Sequence, residues 1–387
     1  MMESQIITIT RKELRSYFLS PVAIIFLAIF LFATMFIFFT LAKFFGRNLA
    51  DVRPLFNWLP ILLIFLVSAL TMRQWSEEQK LGTLEILLTL PLKTSHLVLG
   101  KFIAGMLLVT LALSLTLTLP ITVGQLGDLD WGPVVGGYVA ALLLASVYMA
   151  IGLCVSSRTD NQIVALMVTL VIGGLLYLTG TDSVVSFFSG GTAEILRSVG
   201  TGSRFLSIER GVLDVRDFFY YGSLTVFFLA LNVYFLELKR MDAQPPGIQT
   251  RRPVILMTVI LTGLNVLVGN LWLAPITTAR ADLTAGNDYT ISDTTRTLID
   301  KLDEPLSITG YFSDRTHPML SPLVPRIRDF LKEYEIRGAG NVKLNFIDPS
   351  TDDELQKELN EQYKIESVPF RISGRNEESV VNSFFHV

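Results

Sequence analysis

The charged residues best placed to act on something outside the chain lie in one polar segment, residues 73–91. Its sequence, RQWSEEQKLGTLEILLTLP, separates two long apolar stretches and predicts a short helix followed by a break at Gly82-Thr83. That break provides a flexible joint, and Thr83 can cap a second helix. A mixed-charge surface of this kind suits docking of a protein partner, with an ordinary solvated loop as the alternative. The candidate docking residues are Arg73, Glu77, Glu78, Lys80, Gly82, Thr83 and Glu85.

Patterns for hydrolysis are missing from the sequence. Gly100-Lys101 lacks the earlier glycine and the following Ser or Thr of a phosphate-binding loop, and there is no H-E-x-x-H. The three histidines show no metal-ligand spacing, and the one cysteine, Cys154, lies in an apolar stretch as a small hydrophobic residue would. We therefore expect no catalytic residue, metal or cofactor in this chain, and any energy that it uses must come from a partner.

Long apolar stretches must position the polar segment. Half of the 387 residues are hydrophobic and 17% are charged, and a bilayer core of ~30 Å requires about 20 apolar residues in a helix. The apolar run near the N-terminus is too long for a cleaved signal peptide. We predict seven spans: Ala23–Ala42, Phe56–Met72, Phe102–Val123, Val134–Val155, Ile163–Leu178, Phe218–Leu236 and Val254–Leu273.

Charge divides the chain and orients it. Residues 1–273 hold 19 Lys and Arg against 16 Asp and Glu, whereas residues 274–387 hold 13 against 19. The acidic second part argues against nucleic acid as a partner.

If the N-terminus is cytoplasmic, the inner loops carry twelve Lys and Arg and the outer loops seven, as the positive-inside rule requires. With seven spans, residues 274–387 then lie outside, which is the periplasm if the cell is Gram-negative.

Two further sets of residues have a predicted role in the membrane part. Residues 1–20 predict an amphipathic helix at the membrane interface that faces anionic lipid, with an ordinary flanking segment as the alternative. Its candidate residues are Arg11, Lys12, Arg15, Tyr17 and Phe18. Small residues four apart predict close helix packing at Gly132, Gly136 and Ala140.

The acidic region shows helix and strand patterns in alternation. Three segments are predicted helices: Ser292–Leu302, Val324–Tyr334 and Thr351–Tyr363. Three are predicted strands: Leu306–Phe312, Val342–Ile347 and Val368–Ile372. This order predicts an α/β sheet with right-handed crossovers. Because the chain stops just after an apolar run, we expect this domain to be incomplete.

The first 240 residues resemble the permease subunit of ABC-2 type exporters. The matching text is RKELRSYFLSP at residues 11–21, EQKLGTLE at 78–85, LTLP at 88–91, Gly100-Lys101, and SRFLSIERGVLD at 203–214. Residues from about 253 onward resemble a gliding-motility-associated auxiliary subunit, GldG-like, through RADLT at 280–284, YTIS at 289–292, LDEPL at 302–306 and FIDP at 346–349. The whole chain thus resembles a GldF-like permease fused to the start of a GldG-like subunit.

The resemblance implies five parts. They are a connecting helix (1–20), a six-span permease domain (21–240), a cytoplasmic linker (241–252), a seventh transmembrane helix (253–273) and an extracytoplasmic α/β domain (274–387). The last is thioredoxin-like in element order, with Val368-Pro369 at the place of a cis-proline. It lacks C-x-x-C, so a binding or scaffold role is expected instead of redox chemistry.

The resemblance also implies partners. Residues 73–84 would be a coupling helix seated in a cytoplasmic ABC ATPase dimer, and a second permease copy or a homologue would complete a transport path in the inner membrane. Spans almost free of charge suit an amphiphilic or lipid-linked cargo. The alternative is a mechanotransmitting complex, of the kind used in gliding or envelope assembly, that moves no substrate and binds an envelope partner through residues 274–387.

Overall fold

The computed structural model describes most of the chain, in two compact units. The described residues are 2–47, 50–185, 187, 191–242, 252–273, 280–287, 289–302, 304–313, 323–338, 341–349, 353–373 and 378–387. One unit is Met1–Leu283 and the other is Thr284–Val387. The predicted linker, residues 241–252, lies outside the described residues except at its ends.

The unit Met1–Leu283 is built almost entirely of helices. They are α1 (Met2–Leu19), α2 (Val22–Phe36), α3 (Phe44–Arg47), α4 (Arg53–Thr71), α5 (Ser76–Lys80), α6 (Thr83–Thr89), α7 (Thr94–Thr116), α8 (Thr118–Leu126), α9 (Trp131–Ser156), α10 (Gln162–Leu178), α11 (Asp182–Val185), α12 (Gly191–Val199), α13 (Thr201–Glu209), α14 (Val215–Asp242) and α15 (Arg252–Leu273). A π-helical turn, Ile37–Leu41, continues α2.

Within the described residues, six helices are long and apolar enough to cross a membrane. They are Val22–Leu41, Arg53–Lys80, Thr94–Leu126, Trp131–Ser156, Val215–Met241 and Arg252–Leu273. Six of the seven predicted spans coincide with these helices. The fifth prediction, Ile163–Leu178, is the apolar helix α10, which has only 17 residues.

Helix α9 forms the centre of this unit. It packs against α4, α7, α10, α13 and α14, and eight of its 26 residues are glycine or alanine. Gly137 lies against the ring of Phe56 and Gly152 against Thr71, so a Cβ at either position would clash. Lipid offers no hydrophobic driving force between helices, so such close approach is how they gain dispersion energy. The helix ends at Ser156, beside the polar segment.

Two short strands lie at the end of the unit that is far from Ser156 and the polar segment. β1 (Val212–Asp214) pairs antiparallel with β2 (Arg280–Asp282), and the backbone N–H of Leu283 donates to the carbonyl of Gly211 at 2.9 Å. We call this pair the β1–β2 ribbon. The helical unit therefore extends to Leu283, because pairing with β1 keeps β2 within it.

The unit Thr284–Val387 contains the predicted mixture of helices and strands. Its helices are α16 (Asp293–Asp300), α17 (Leu323–Arg337) and α18 (Asp353–Tyr363), and its strands are β3 (Leu306–Phe312), β4 (Val342–Ile347), β5 (Val368–Ser373), β6 (Glu378–Ser383) and β7 (Phe385–His386). Ser292 caps α16 as predicted, accepting from the N–H of Thr295 at 3.2 Å. The six predicted elements are confirmed within a few residues at each end.

The third predicted strand does not join the sheet that contains the first two. β3 pairs in parallel with β4 and antiparallel with β7, whereas β5 forms a separate antiparallel pair with β6. No cis peptide bond occurs among the described residues, which include Pro369, so the expected cis-proline is absent. A local pattern marks a segment as a strand but leaves its neighbour open, because the neighbour is chosen by contacts far apart in sequence.

Candidate functional site

The polar segment between α4 and α7 folds as two short helices. A turn at residues 72–75 joins α4 to α5, and α6 follows after Gly82. Gly82 has φ 71°, a left-handed conformation that glycine adopts without a steric penalty. The Thr83 hydroxyl donates to the carbonyl of Glu78 at 3.2 Å. Thr83 therefore closes the end of α5 and does not cap α6, which corrects the predicted role.

Ser156, the last residue of α9, holds the start of α5. Its Oγ accepts from the backbone N–H of Trp75 at 3.0 Å and of Ser76 at 3.2 Å. It also donates to the carbonyl of Met72 at 3.2 Å. Trp75, Ser76 and Ser156 are all fully buried. The first N–H groups of a helix have no partner within it, so this serine supplies their acceptor and fastens α5 to α9.

Lys101 of α7 lies in the interior of this region and bridges two acids. Its Nζ is 3.2 Å from Oε1 of Glu13 in α1 and 3.0 Å from Oε1 of Glu78 in α5. The side chains of Lys101, Glu13 and Glu78 are 3%, 11% and 20% exposed, and Nζ lies 4.8 Å from the centroid of the Trp75 ring. A buried ammonium is tolerated only when it is paired, and two carboxylates with an aromatic face meet that need. We call these four residues the Lys101 cluster.

Two glutamines complete the attachment of α5. The side-chain amide of Gln74 donates to the hydroxyl of Tyr17 in α1, and Lys239 of α14 donates to Gln79. Gln79 also donates to the carbonyl of Ser156 at 3.1 Å. Burial raises the pKa of the Tyr17 phenol, so its hydroxyl stays protonated at neutral pH. The inner face, defined as Gln74, Trp75, Ser76, Glu78 and Gln79, thus contacts α1, α7, α9 and α14.

The opposite side of the two helices points away from the bundle. Leu81 and Ile86 are 68% and 66% exposed, and Arg73 pairs with Glu77 at 3.0 Å on the helix surface. We define the exposed face as Glu77, Lys80, Leu81, Gly82, Thr83, Glu85 and Ile86. Of the predicted docking residues, Glu78 lies on the inner face instead, bound to Lys101.

Helix α1 occupies the predicted amphipathic segment and packs along α7. Arg11, Lys12, Arg15 and Phe18 are exposed, as an interface helix requires, whereas Tyr17 is buried and does not face lipid. Polar contacts from three residues of α1 contribute to this packing. They are Gln5 Oε1 to His96 Nδ1 at 2.9 Å, the hydroxyl of Thr10 to the carbonyl of Gly100 at 3.3 Å, and Glu13 to Lys101.

The predicted packing residues of α9 meet the far end of the bundle. A Cβ at Gly136 would collide with the carbonyl of Ile208 in α13 and with Cα of Gly211. Gly211 in turn lies against the backbone of Gly132, and Ala140 is fully buried. The small residues of α9 therefore allow α13 and the turn after it to pack closely against α9. This packing occurs within one chain.

Sequence reasoning missed Glu13 and Ser156. Glu13 lies within the matched text of α1, but nothing local distinguishes it from its charged neighbours. The available signal was Lys101, a base next to an apolar span, since such a base predicts an acid partner nearby. The described residues contain no group of three or more His, Cys, Asp or Glu that could hold a metal ion.

Comparison with known families covers both units. Residues 48–199 match the model of a family described as ABC-2 family transporter protein, and residues 285–387 match one described as a domain of unknown function (DUF7088). No curated protein matches the chain. The first match contains α4–α12 and therefore the polar segment. The chain is a multi-pass membrane protein that contains an ABC-2 family transporter permease domain, followed by a C-terminal domain of unknown function.

Proposed function

We propose that this chain is the membrane subunit on which a separate ABC ATPase acts, with the exposed face of α5 and α6 as its docking surface. The observation that carries the proposal is the two-sided construction of the segment. Its inner face is bound to four helices, and its other face presents Leu81 and Ile86 among charges. Exposed apolar side chains rimmed by charges are typical of protein contacts.

A short helix held in this way transmits movement. α5 cannot shift alone, because Ser156, Lys101 and Lys239 connect it to α9, α7 and α14. Closure of the ATPase subunits against Lys80 and Glu85 would therefore displace whole helices, a rigid-body change. The positive-inside count supports a cytoplasmic position for this face and an extracytoplasmic position for residues 284–387.

The proposed assembly has two membrane subunits. A second copy of this chain, or a homologue, would enclose a path between the bundles, and the ATPase dimer would bind ATP and Mg²⁺. Because the described spans bury little charge away from their ends, an amphiphilic or lipid-linked cargo suits them best.

A second candidate function is mechanotransmission without cargo, and the β1–β2 ribbon favours it. Nε of Arg280 lies 3.3 Å from Oδ2 of Asp214, and both side chains are buried. Asp214 also accepts from Nε of Arg216 at 2.9 Å. The ribbon leads directly into residues 284–387 and adjoins the start of α14, whose other end carries Lys239. Movement of α5 would thus reach the C-terminal domain along α14, where it could act on an envelope partner, as in gliding-type machinery.

Association with the ATPase tests the docking surface. The tagged chain is purified from its native membranes, and the ATPase subunit recovered with it is quantified. Glu85→Lys should reduce that recovery, because it reverses an exposed charge on the docking surface. Asp128→Lys, a matched reversal in an exposed loop elsewhere, should leave recovery unchanged. Equal recovery for both variants and the unmodified chain would refute the assignment.

Proteoliposomes containing the complex distinguish the two functions. ATP-dependent flux of a labelled amphiphile supports export. ATP-dependent change in protease access to residues 284–387 without any flux supports mechanotransmission. For the second outcome, Arg280→Gln should remove the change in protease access while ATP hydrolysis continues.

A further inference from the structure

Helix α1 carries a shallow, open groove of about 610 Å³ along one face. Its lining residues are Thr8, Arg11, Lys12, Arg15, Ser16, Leu19 and Ser20. These positions recur at intervals of three and four, so a single helix face carries them. Three cations and the hydroxyl of Ser16 along one groove have the donor chemistry that phosphate oxygens accept, whereas the hydroxyl of Ser20 already donates to the carbonyl of Tyr17.

The positive charge of the groove is not balanced locally. Within the described part of the chain, Arg11 and Arg15 have no carboxylate in ion-pair range. Lys12 Nζ lies 3.8 Å from Oε1 of Glu13, but that carboxylate is held more closely by Lys101, at 3.2 Å. The guanidinium group presents paired donors that match phosphate geometry, so the groove favours a phosphate over a simple halide ion.

The groove also lies where the first membrane span begins. Leu19, at its end, is 76% exposed, and α2 starts three residues later at Val22. Ile24 and Ile25, in the first turn of α2, are exposed as well. A bilayer places its phosphates at the polar end of a span and its hydrocarbon along the apolar residues that follow. The groove and the face of α2 therefore match the two parts of a phospholipid.

We propose that this groove binds the phosphate of an anionic phospholipid headgroup, with an acyl chain along Leu19 and α2. A free phosphate shares the headgroup chemistry but has nothing to place on the apolar residues. The other face of α1 carries Glu13 and Tyr17, which hold Lys101 and Gln74. Bound lipid thereby stabilises α1, the helix that supports α5, and should raise ATP hydrolysis by the complex. This regulatory consequence rests on the proposed coupling function.

Lipid retention tests the binding without any ATPase. The purified chain is reconstituted in nanodiscs of phosphatidylcholine alone, or of equal parts phosphatidylcholine and phosphatidylglycerol. The chain is then extracted in mild detergent. Native mass spectrometry identifies and quantifies the lipids that remain bound to it. The unmodified chain should retain phosphatidylglycerol in preference to phosphatidylcholine. Arg11→Gln with Arg15→Gln should lower apparent affinity roughly tenfold or more, since each base near an anionic surface contributes about a factor of five.

The matched control is Lys93→Gln, which removes an exposed base outside the groove and should retain lipid as the unmodified chain does. Melting temperatures of the variants verify that they are folded. Unchanged phosphatidylglycerol retention in the arginine variant would overturn the proposal. Displacement of the lipid by inorganic phosphate would reassign the groove to a soluble anion and overturn the lipid assignment. Loss of the ATPase subunit from the arginine variant, with lipid retention unaltered, would make the groove a protein contact instead.

The regulatory consequence has a separate readout. ATP hydrolysis by the complex should rise when phosphatidylglycerol is added, and the arginine variant should lose that response. Hydrolysis insensitive to lipid, with retention intact, would refute regulation but leave the binding site established. A chain that retains phosphatidylglycerol but recovers no ATPase would refute the coupling function alone.

Discussion

Replacing Lys101 by methionine should destabilise the helical unit more than any exposed charge change. Methionine keeps the length and most of the apolar volume of lysine but removes the ammonium group. Glu13 and Glu78, which lie 3.2 and 3.0 Å from Nζ, would then face each other without a cation between them. Both are largely removed from solvent, so water can replace the lost partner only in part.

The expected cost follows from this geometry. Removing one member of a buried ion pair costs about 3–5 kcal/mol, because the remaining charge stays buried and unpaired. The lower end applies here, since the side chains of Glu13 and Glu78 keep some exposure to solvent. Glu78→Gln leaves Lys101 paired with Glu13, so it should cost only about 1–2 kcal/mol. Glu77→Gln, on the exposed side of the same helix, should cost less than about 1 kcal/mol.

Thermal unfolding of the chain in nanodiscs measures these differences. For a unit of this size, about 3 kcal/mol corresponds to a fall in melting temperature of roughly 5 °C. The double variant Lys101→Met with Glu78→Gln should be more stable than the sum of the single changes predicts, because removing one acid relieves the other. Strict additivity, or a melting temperature for Lys101→Met equal to that of Glu77→Gln, would refute the cluster as described.

Three further variants have defined outcomes. Gly82→Ala should cost about 1 kcal/mol by thermal unfolding, because only its positive φ is strained and no atom lies within 4 Å of the new Cβ. Gly211→Ala should cost clearly more, because it combines φ 93° with a Cβ 3.0 Å from backbone atoms; equal costs would contradict the packing of that turn. Ser156→Ala should cost about 1–3 kcal/mol by leaving two buried backbone amides without an acceptor, and it should speed deuterium exchange in α5. Protection of α5 that is unaltered in this variant would exclude Ser156 as its anchor.

Hydropathy alone located the membrane helices and the break between the two units approximately. Each predicted span depends on a run of apolar residues, a local property that length and composition decide. The helices and strands of residues 284–387 were also predicted from local patterns. The cap that Ser292 forms on α16 is one example. The pairing of β5 with β6, and of β2 with β1, depended on contacts across the chain and could not be predicted locally.

In the polar segment, too, some features follow from the local sequence and others only from packing. Its charges, the glycine at the joint and its place between two spans are properties of the sequence, and they led to a docking prediction. Neighbouring glutamates were indistinguishable at that level, since Glu77 and Glu78 have identical chemistry and adjacent positions. Consecutive residues of a helix point about 100° apart, so only the packed structure decides which one faces Lys101.

The sequence by itself determined that this chain enters a membrane, that it carries a charged segment between two spans and that an acidic α/β region follows. Only the tertiary structure decided that Glu78 is bound to Lys101 and Glu13, and that Ser156 anchors α5. Composition and periodicity are summed over neighbours in the chain, whereas a buried ion pair is formed by residues from three separate helices. Its partners become known only when those helices are placed side by side.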